Sequence, residues 1–288
     1  MKESYFNYEK MIAEINTYMN KYSFLAVTGI CESILGCTIP AVILGEGKIV
    51  ITYIGGEEGY DLISPSVLLR FVKDICSLYE GKGSAFGFSA ENIFKNYTLV
   101  IIPMLNPDGA GYCCRGVDEN NPLRERVLKL NDRQNDFSHW RGNARGVELK
   151  YNYGLENGEY ESEPEVGALC NFFRYGMTPQ LLIEFSQNNE LKNNDDGIIF
   201  FGEGEIENKM AIALSQMTMM RRTYRESALP RLMLTDWAIK ELGASAFSVD
   251  MPCFECNSRK QFEDISFSYY TKIRKMLFCT PFLTKIKS

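Results

Sequence analysis

The amino-acid sequence predicts an α/β fold: a single domain, residues 1–288, built on one mixed, mostly parallel central sheet flanked by helices. Three observations predict it. Stretches with apolar residues at helical spacing alternate with short β-branched runs along the chain, no linker or internal repeat interrupts them, and residues 99–104 are apolar without a break, as a strand covered on both faces requires. With 45% hydrophobic and 24% charged residues, a chain of 288 has enough apolar surface for one large core.

Taken in order, residues 8–21 place Met11, Ile12, Ile15 and Met19 on one helical face. Residues 38–44 and 48–54 are β-rich runs separated by Gly45-Glu46-Gly47, which predicts a hairpin. Gly55-Gly56 closes the second run, and a helix is expected over 66–79, between Pro65 and Gly81. The buried strand at 99–104 is followed by residues 106–160, rich in Asn, Asp, Gly and Arg and poor in periodicity; an irregular stretch of that length inside a compact domain is usually functional. Helix returns at 163–175, strands at 180–185 and 198–201, helices at 205–221 and 235–241, a strand at 245–250 and a helix over about 262–278. Ligands of such sheets bind at the carboxyl ends of the strands, where Glu58, Asn106, Ser186 and Asp250 stand.

Composition excludes several function classes. There is one histidine, His139, so no centre needing two imidazoles can be built from one chain. Beside Trp140 it reads as structural. A net charge of -6 with scattered Lys and Arg argues against nucleic acid as a partner. No apolar run is long enough to span a membrane and the first residues carry no signal core, so a cytoplasmic protein is expected. Nine cysteines without such a signal read as free thiols, and Cys253 and Cys256 lack the second pair that a structural zinc site needs. No oligomeric state follows from the sequence.

Four motifs appear in a telling order: Asn106-Pro107-Asp108-Gly109 after the buried strand, Trp140-Arg141-Gly142-Asn143-Ala144-Arg145-Gly146-Val147-Glu148-Leu149, Ser162-Glu163-Pro164-Glu165 opening a helix, and Asp236-Trp237. Together they resemble the zinc carboxypeptidase family, the carboxypeptidase A type of metallopeptidase with its phosphorylase/hydrolase-like fold. The nearest likeness is to its bacterial branch, which includes γ-D-glutamyl-diaminopimelate peptidases of cell-wall turnover. The resemblance implies zinc as cofactor and a peptide or cell-wall peptide fragment as partner. It assigns the zinc-ligand positions to Glu58, Asp61 and Ser186, where the family has His, Glu and His. It assigns the catalytic carboxylate to Asp250, the arginine that polarises the scissile carbonyl to Arg141, and substrate contacts to Lys150, Tyr151 and Asn106. A tyrosine that closes over substrate has no counterpart near Ala228.

Those replacements change the chemistry. Zinc lowers the pKa of its bound water from about 15.7 to about 7 and takes borderline-soft ligands, whereas Glu, Asp and Ser offer hard oxygens that suit Ca²⁺ or Mg²⁺. Asp250 is one methylene shorter than the glutamate it replaces, and a misplacement of about 1 Å costs on the order of a hundredfold in rate. Two carboxylates about 4 Å apart repel by roughly 4 kcal/mol at an effective dielectric of 20, so the cluster must hold a proton or recruit a cation. The leading expectation is a peptidase fold that has lost zinc and catalysis and keeps a peptide-binding cleft. An active metallocarboxypeptidase or γ-D-glutamyl peptidase with an oxygen-rich metal site is the alternative, and a scaffold or regulator is the third.

Overall fold

The computed structural model describes residues 5–154, 163–191, 195–225, 232–254, 256 and 258–286. The first half runs α1 (Tyr8–Lys21), β1 (Ala26–Glu32), β2 (Thr38–Leu44), β3 (Ile49–Ile54), α2 (Ile63–Glu80), the short pair β4 (Ser84–Ala85) and β5 (Phe88–Ser89), α3 (Ala90–Asn96) and β6 (Tyr97–Ile102). It continues through α4 (Pro107–Arg115), α5 (Arg124–Leu130), a 3-10 turn at Leu149–Tyr151, α6 (Pro164–Tyr175), β7 (Leu181–Asn188), β8 (Ile198–Phe201), α7 (Glu205–Thr218), β9 (Arg221–Tyr224), α8 (Leu234–Leu242), β10 (Ser245–Pro252) and α9 (Arg259–Leu283). Eight strands form one sheet in the order β1-β2-β6-β3-β7-β10-β8-β9. The central four, β6, β3, β7 and β10, are parallel; β1, β2 and β8 pair antiparallel with their inner neighbours. This is the mixed, mostly parallel α/β sheet that the sequence predicts.

Residues 38–44 and 48–54 do not make the expected hairpin. β6 lies between β2 and β3, antiparallel to the first, with Val100 opposite Ile43, and parallel to the second, with Leu99 opposite Ile51. The Gly45-Glu46-Gly47 link packs on the α3–β6 junction instead: the Glu46 N–H donates to the Phe94 carbonyl at 2.8 Å, and a Cβ at Gly47 would lie 2.0 Å from the Tyr97 nitrogen. The local turn residues suit either connection, and the fully buried β6 decides it by needing a strand on each side.

The described part of the irregular stretch, residues 106–154, holds more regular structure than its composition suggests: α4, α5 and the 3-10 turn. Asn106 caps α4, its Oδ1 accepting from the Gly109 N–H at 2.9 Å, and Pro107 occupies the first turn, where a missing N–H costs nothing. The expected helix over 205–221 stops at Thr218, with Met219 at φ 63°, and Arg221 already belongs to β9.

Alternation along the central strands sorts the core into two layers. Leu181, Ile183 and Phe185 face α1, α2, α7 and α9, together with Met11, Val72 and Ile273. Leu182 and Ala246 face α6 and α8, where Val166, Leu169 and Trp237 cover them. On this second face the residues nearer the strand ends are Glu184, Ser186, Ser248 and Asp250, all buried. A polar patch in that position is the mark of a site. Among the described residues no helix is long and apolar enough to cross a membrane.

Candidate functional site

Strand register assembles the site. Ile54, the last residue of β3, lies opposite Glu184 of β7, and Ser186 lies opposite Asp250 of β10. Gly55 and Gly56 then turn the chain so that Glu57 and Glu58 rise over the same strand ends; Gly56 has φ 59°, a conformation that glycine adopts without strain. The next loop packs on α4 and on the Arg141 segment at backbone distance. A Cβ on Gly59 would sit 2.8 Å from both the Gly109 carbonyl carbon and the Trp140 oxygen, and the Gly59 N–H donates to the Arg141 carbonyl at 3.1 Å.

Asn106 is fully buried beneath these loops. Its Nδ2 donates to the carbonyls of Glu57 at 3.0 Å and Gly142 at 3.2 Å. It joins the Glu58 and Arg141 loops from below and does not line the cleft.

Above lies a cleft of about 350 Å³, lined among others by Glu58, Arg141, Lys150, Tyr151, Arg225 and Asp250. Glu58, 2% exposed, is held by Arg141, whose Nε and Nη2 reach its Oε1 at 2.7 and 2.6 Å. The Tyr60 hydroxyl lies 3.1 Å from the other Glu58 oxygen and donates to the Gln187 carbonyl at 2.7 Å. Asp250 accepts from three uncharged donors: Ser186 Oγ at 3.2 Å, Ser248 Oγ at 2.9 Å and Asn188 Nδ2 at 3.0 Å. Asp61 is buried but turned to the start of α2, where the Ser64 N–H donates to Oδ1 at 3.1 Å and the Ser64 hydroxyl bonds Oδ2. Burial pushes its carboxyl up to about 7 against those hydrogen bonds.

Beneath the cleft lies a second pair of acids. Glu57 and Glu184 are buried; Tyr153 donates to Glu57 Oε1 at 2.6 Å, while Glu57 Oε2 and both Glu184 oxygens have no hydrogen-bond partner among the described residues. Burial raises both carboxyls, and the neighbouring Glu184 charge raises Glu57 as well. Lys150, 7% exposed, faces the whole group. Burial works against its ammonium, but Asp250, Glu184, Glu58 and Glu57 outweigh burial and hold its proton more tightly than in water.

Sequence reasoning missed Glu57, Glu184, Tyr60, Tyr153, Asn188 and Arg225. Glu184 did carry a signal, since a carboxylate inside Leu181-Leu182-Ile183-Glu184-Phe185 breaks the expectation that a central strand is apolar. His139 is exposed and lines a different cavity of about 310 Å³, whose wall includes Cys113, Cys114, Cys253 and Cys256. All nine cysteines are free thiols. The neighbourhood of Ala228 and the end of the 106–160 stretch lie outside the described residues.

A sequence profile described as zinc carboxypeptidase matches residues 11–194. The chain belongs to the zinc carboxypeptidase family. Gamma-D-glutamyl-L-diamino acid endopeptidase 1 of Lysinibacillus sphaericus is 28% identical over 144 residues, 50% of this chain and 36% of that protein. The chain thus matches little more than a third of the length of its curated relatives. Among solved structures, a metallo-carboxypeptidase from Burkholderia cenocepacia superposes with a TM-score of 0.67 at 15% identity, over 96% of this chain and 71% of that one. Murein-tripeptide amidase MpaA from Escherichia coli O157 gives 0.53 at 14%, over 88% and 92%. At these identities the likeness is one of fold.

Zinc carboxypeptidases depend on their metal, and the residues here do not fit it. Among the described residues no group of three His, Cys, Asp or Glu side chains is arranged to hold a metal ion. Glu58 is occupied by a guanidinium, Asp61 by Ser64, and the Ser186 hydroxyl is a donor to Asp250. A metal at these positions would have to displace the Glu58–Arg141 pair and sit beside the Lys150 ammonium. The donors left are hard oxygens, ill suited to zinc.

Proposed function

We propose that this member of the zinc carboxypeptidase family has lost zinc-dependent hydrolysis and keeps its cleft to bind a peptide, with a cell-wall peptide fragment as the class. The Glu58–Arg141 ion pair carries the reading. The residue at the first ligand position neutralises the arginine that, by resemblance, polarises the scissile carbonyl, so ligand and electrophile quench each other. Loss of both the metal's water activation and the arginine's charge removes the two largest sources of rate in this chemistry.

The cleft still offers contacts for a short polar chain. Arg225 lies with its guanidinium 4.0 Å from the Phe200 ring centroid, Lys150 supplies a second cation, and Tyr151 and Asn188 supply neutral hydrogen-bonding groups. An anionic peptide group beside Lys150 and Arg225 matches these charges. The peptide class rests on the relatives' names, a γ-D-glutamyl-L-diamino acid endopeptidase and a murein-tripeptide amidase. A cytoplasmic location belongs to the same proposal.

Calorimetric titration with γ-D-glutamyl-diamino acid peptides, with product analysis by mass spectrometry, tests this. Binding without turnover is expected, with or without added Zn²⁺, Mn²⁺ or Ca²⁺. Arg225→Ala is expected to weaken binding by about tenfold, the worth of one charged hydrogen bond. Metal-dependent hydrolysis abolished by Asp250→Ala would overturn the reading in favour of an oxygen-rich metallopeptidase. Absence of both binding and turnover would leave the family fold as a scaffold.

A further inference from the structure

We infer that the Lys150 ammonium is a built-in cation that stands in for the family's metal, balancing the acids at the strand ends and excluding a divalent ion from them. The inference concerns the charge of the site and does not depend on which ligand the cleft takes.

The carboxyls of Glu57, Glu58, Glu184 and Asp250 converge on the ends of β3, β7 and β10, all four residues at 2% exposure or less. Arg141 neutralises Glu58. Glu57 and Asp250 have only uncharged hydrogen-bond partners among the described residues, and both Glu184 oxygens have none. Buried charge at this density is stable only when paired or metal-bound. Lys150 is the cation on hand: it is itself buried, it lines the cleft with Glu58 and Asp250, and its field partners are Asp250, Glu184, Glu58 and Glu57 in that order. Among the described residues, none of the hydrogen bonds made by Glu57, Glu58 and Asp250 involves the ammonium, and Glu184 makes none. The attraction is therefore through space, as it would be for a loosely seated ion, and the chain delivers it from the 3-10 turn Leu149–Tyr151.

A tethered monocation has two consequences. A divalent ion entering the same space meets like-charge repulsion, and the acids it would use are already compensated. Removing the ammonium reverses both and leaves hard oxygen donors around an uncompensated negative site, which suits Mn²⁺, Mg²⁺ or Ca²⁺.

The test is Mn²⁺ binding followed by electron paramagnetic resonance, a probe that the thiols of the second cavity bind poorly. Wild type and Lys150→Arg are expected to show only weak surface binding. Lys150→Met, with Lys150→Gln as second variant should Met not fold, is expected to bind one Mn²⁺ about a hundredfold more tightly than wild type, following loss of one nearby positive charge. Adding Asp250→Asn to either variant is expected to abolish that site. The inference is overturned if the wild type already binds one Mn²⁺ that Asp250→Asn removes, or if a folded Lys150 variant binds Mn²⁺ no more tightly than wild type.

Discussion

Replacing Arg141 by Met is expected to lower the unfolding free energy by about 4 kcal/mol, while Glu58→Gln costs only about 1 kcal/mol, although both break the same pair. The asymmetry follows from where the two ends sit. The Glu58 side chain is 2% exposed and that of Arg141 44%. Without the guanidinium, Glu58 is a buried carboxylate whose remaining hydrogen-bond partner among the described residues is the Tyr60 hydroxyl. Without the carboxylate, Arg141 turns to solvent and to Glu148, 3.7 Å away. The double variant Arg141→Met/Glu58→Gln is expected to recover most of the loss, because no charge is then left unpaired. Urea unfolding of the four proteins at neutral pH gives the cycle. A loss for Arg141→Met no larger than that for Glu58→Gln would mean that water reaches Glu58.

The second large effect is one of pH. Burial raises the Asp61 carboxyl from its ordinary 3.8 to about 7. Its folded pKa lies above its unfolded one, so its contribution to stability is complete below about pH 4, where both states are protonated. It is lost as pH rises from about 4 to about 7, because the unfolded chain ionises first. A shift of that size corresponds to about 4 kcal/mol over the window. Asp61→Asn stays neutral and keeps both Ser64 contacts, accepting from the backbone N–H and donating from its amide to the hydroxyl. The stability of Asp61→Asn relative to wild type is therefore expected to grow by about 4 kcal/mol between pH 4 and pH 8 and to level off above that. Chemical denaturation at four pH values measures it. A difference that stays flat with pH would mean that Asp61 ionises as readily in the folded protein as in the unfolded chain.

The sheet was legible in the sequence because its strands are short apolar runs between helices of clear period. Pairing order was not, since Gly45-Glu46-Gly47 suits a hairpin as well as the crossing that β6 imposes from fifty residues away. The family motifs led to Glu58, Arg141, Lys150 and Asp250, which the fold brings to one cleft. They also pointed to Asn106 and Asp61, whose side chains serve the backbone around the site. A motif records position along the chain, whereas side-chain direction depends on which partner, carbonyl or hydroxyl, lies nearest. Glu57, Glu184 and Tyr153 escaped for another reason: the burial of two acids and a tyrosine side by side is a property of distance between segments that no spacing along one segment encodes.

The positions expected to hold zinc are engaged by the chain's own groups: Arg141 on Glu58, Ser64 on Asp61 and Asp250 on Ser186. Anomalous X-ray scattering from crystals soaked in Zn²⁺ tests it most directly. No zinc peak is expected at coordinating distance, about 2 Å, from Glu58, Ser186 or Asp250, with Arg141 still seated on Glu58. A full-occupancy peak bound by Glu58 and Asp250, with Arg141 swung away, would contradict it.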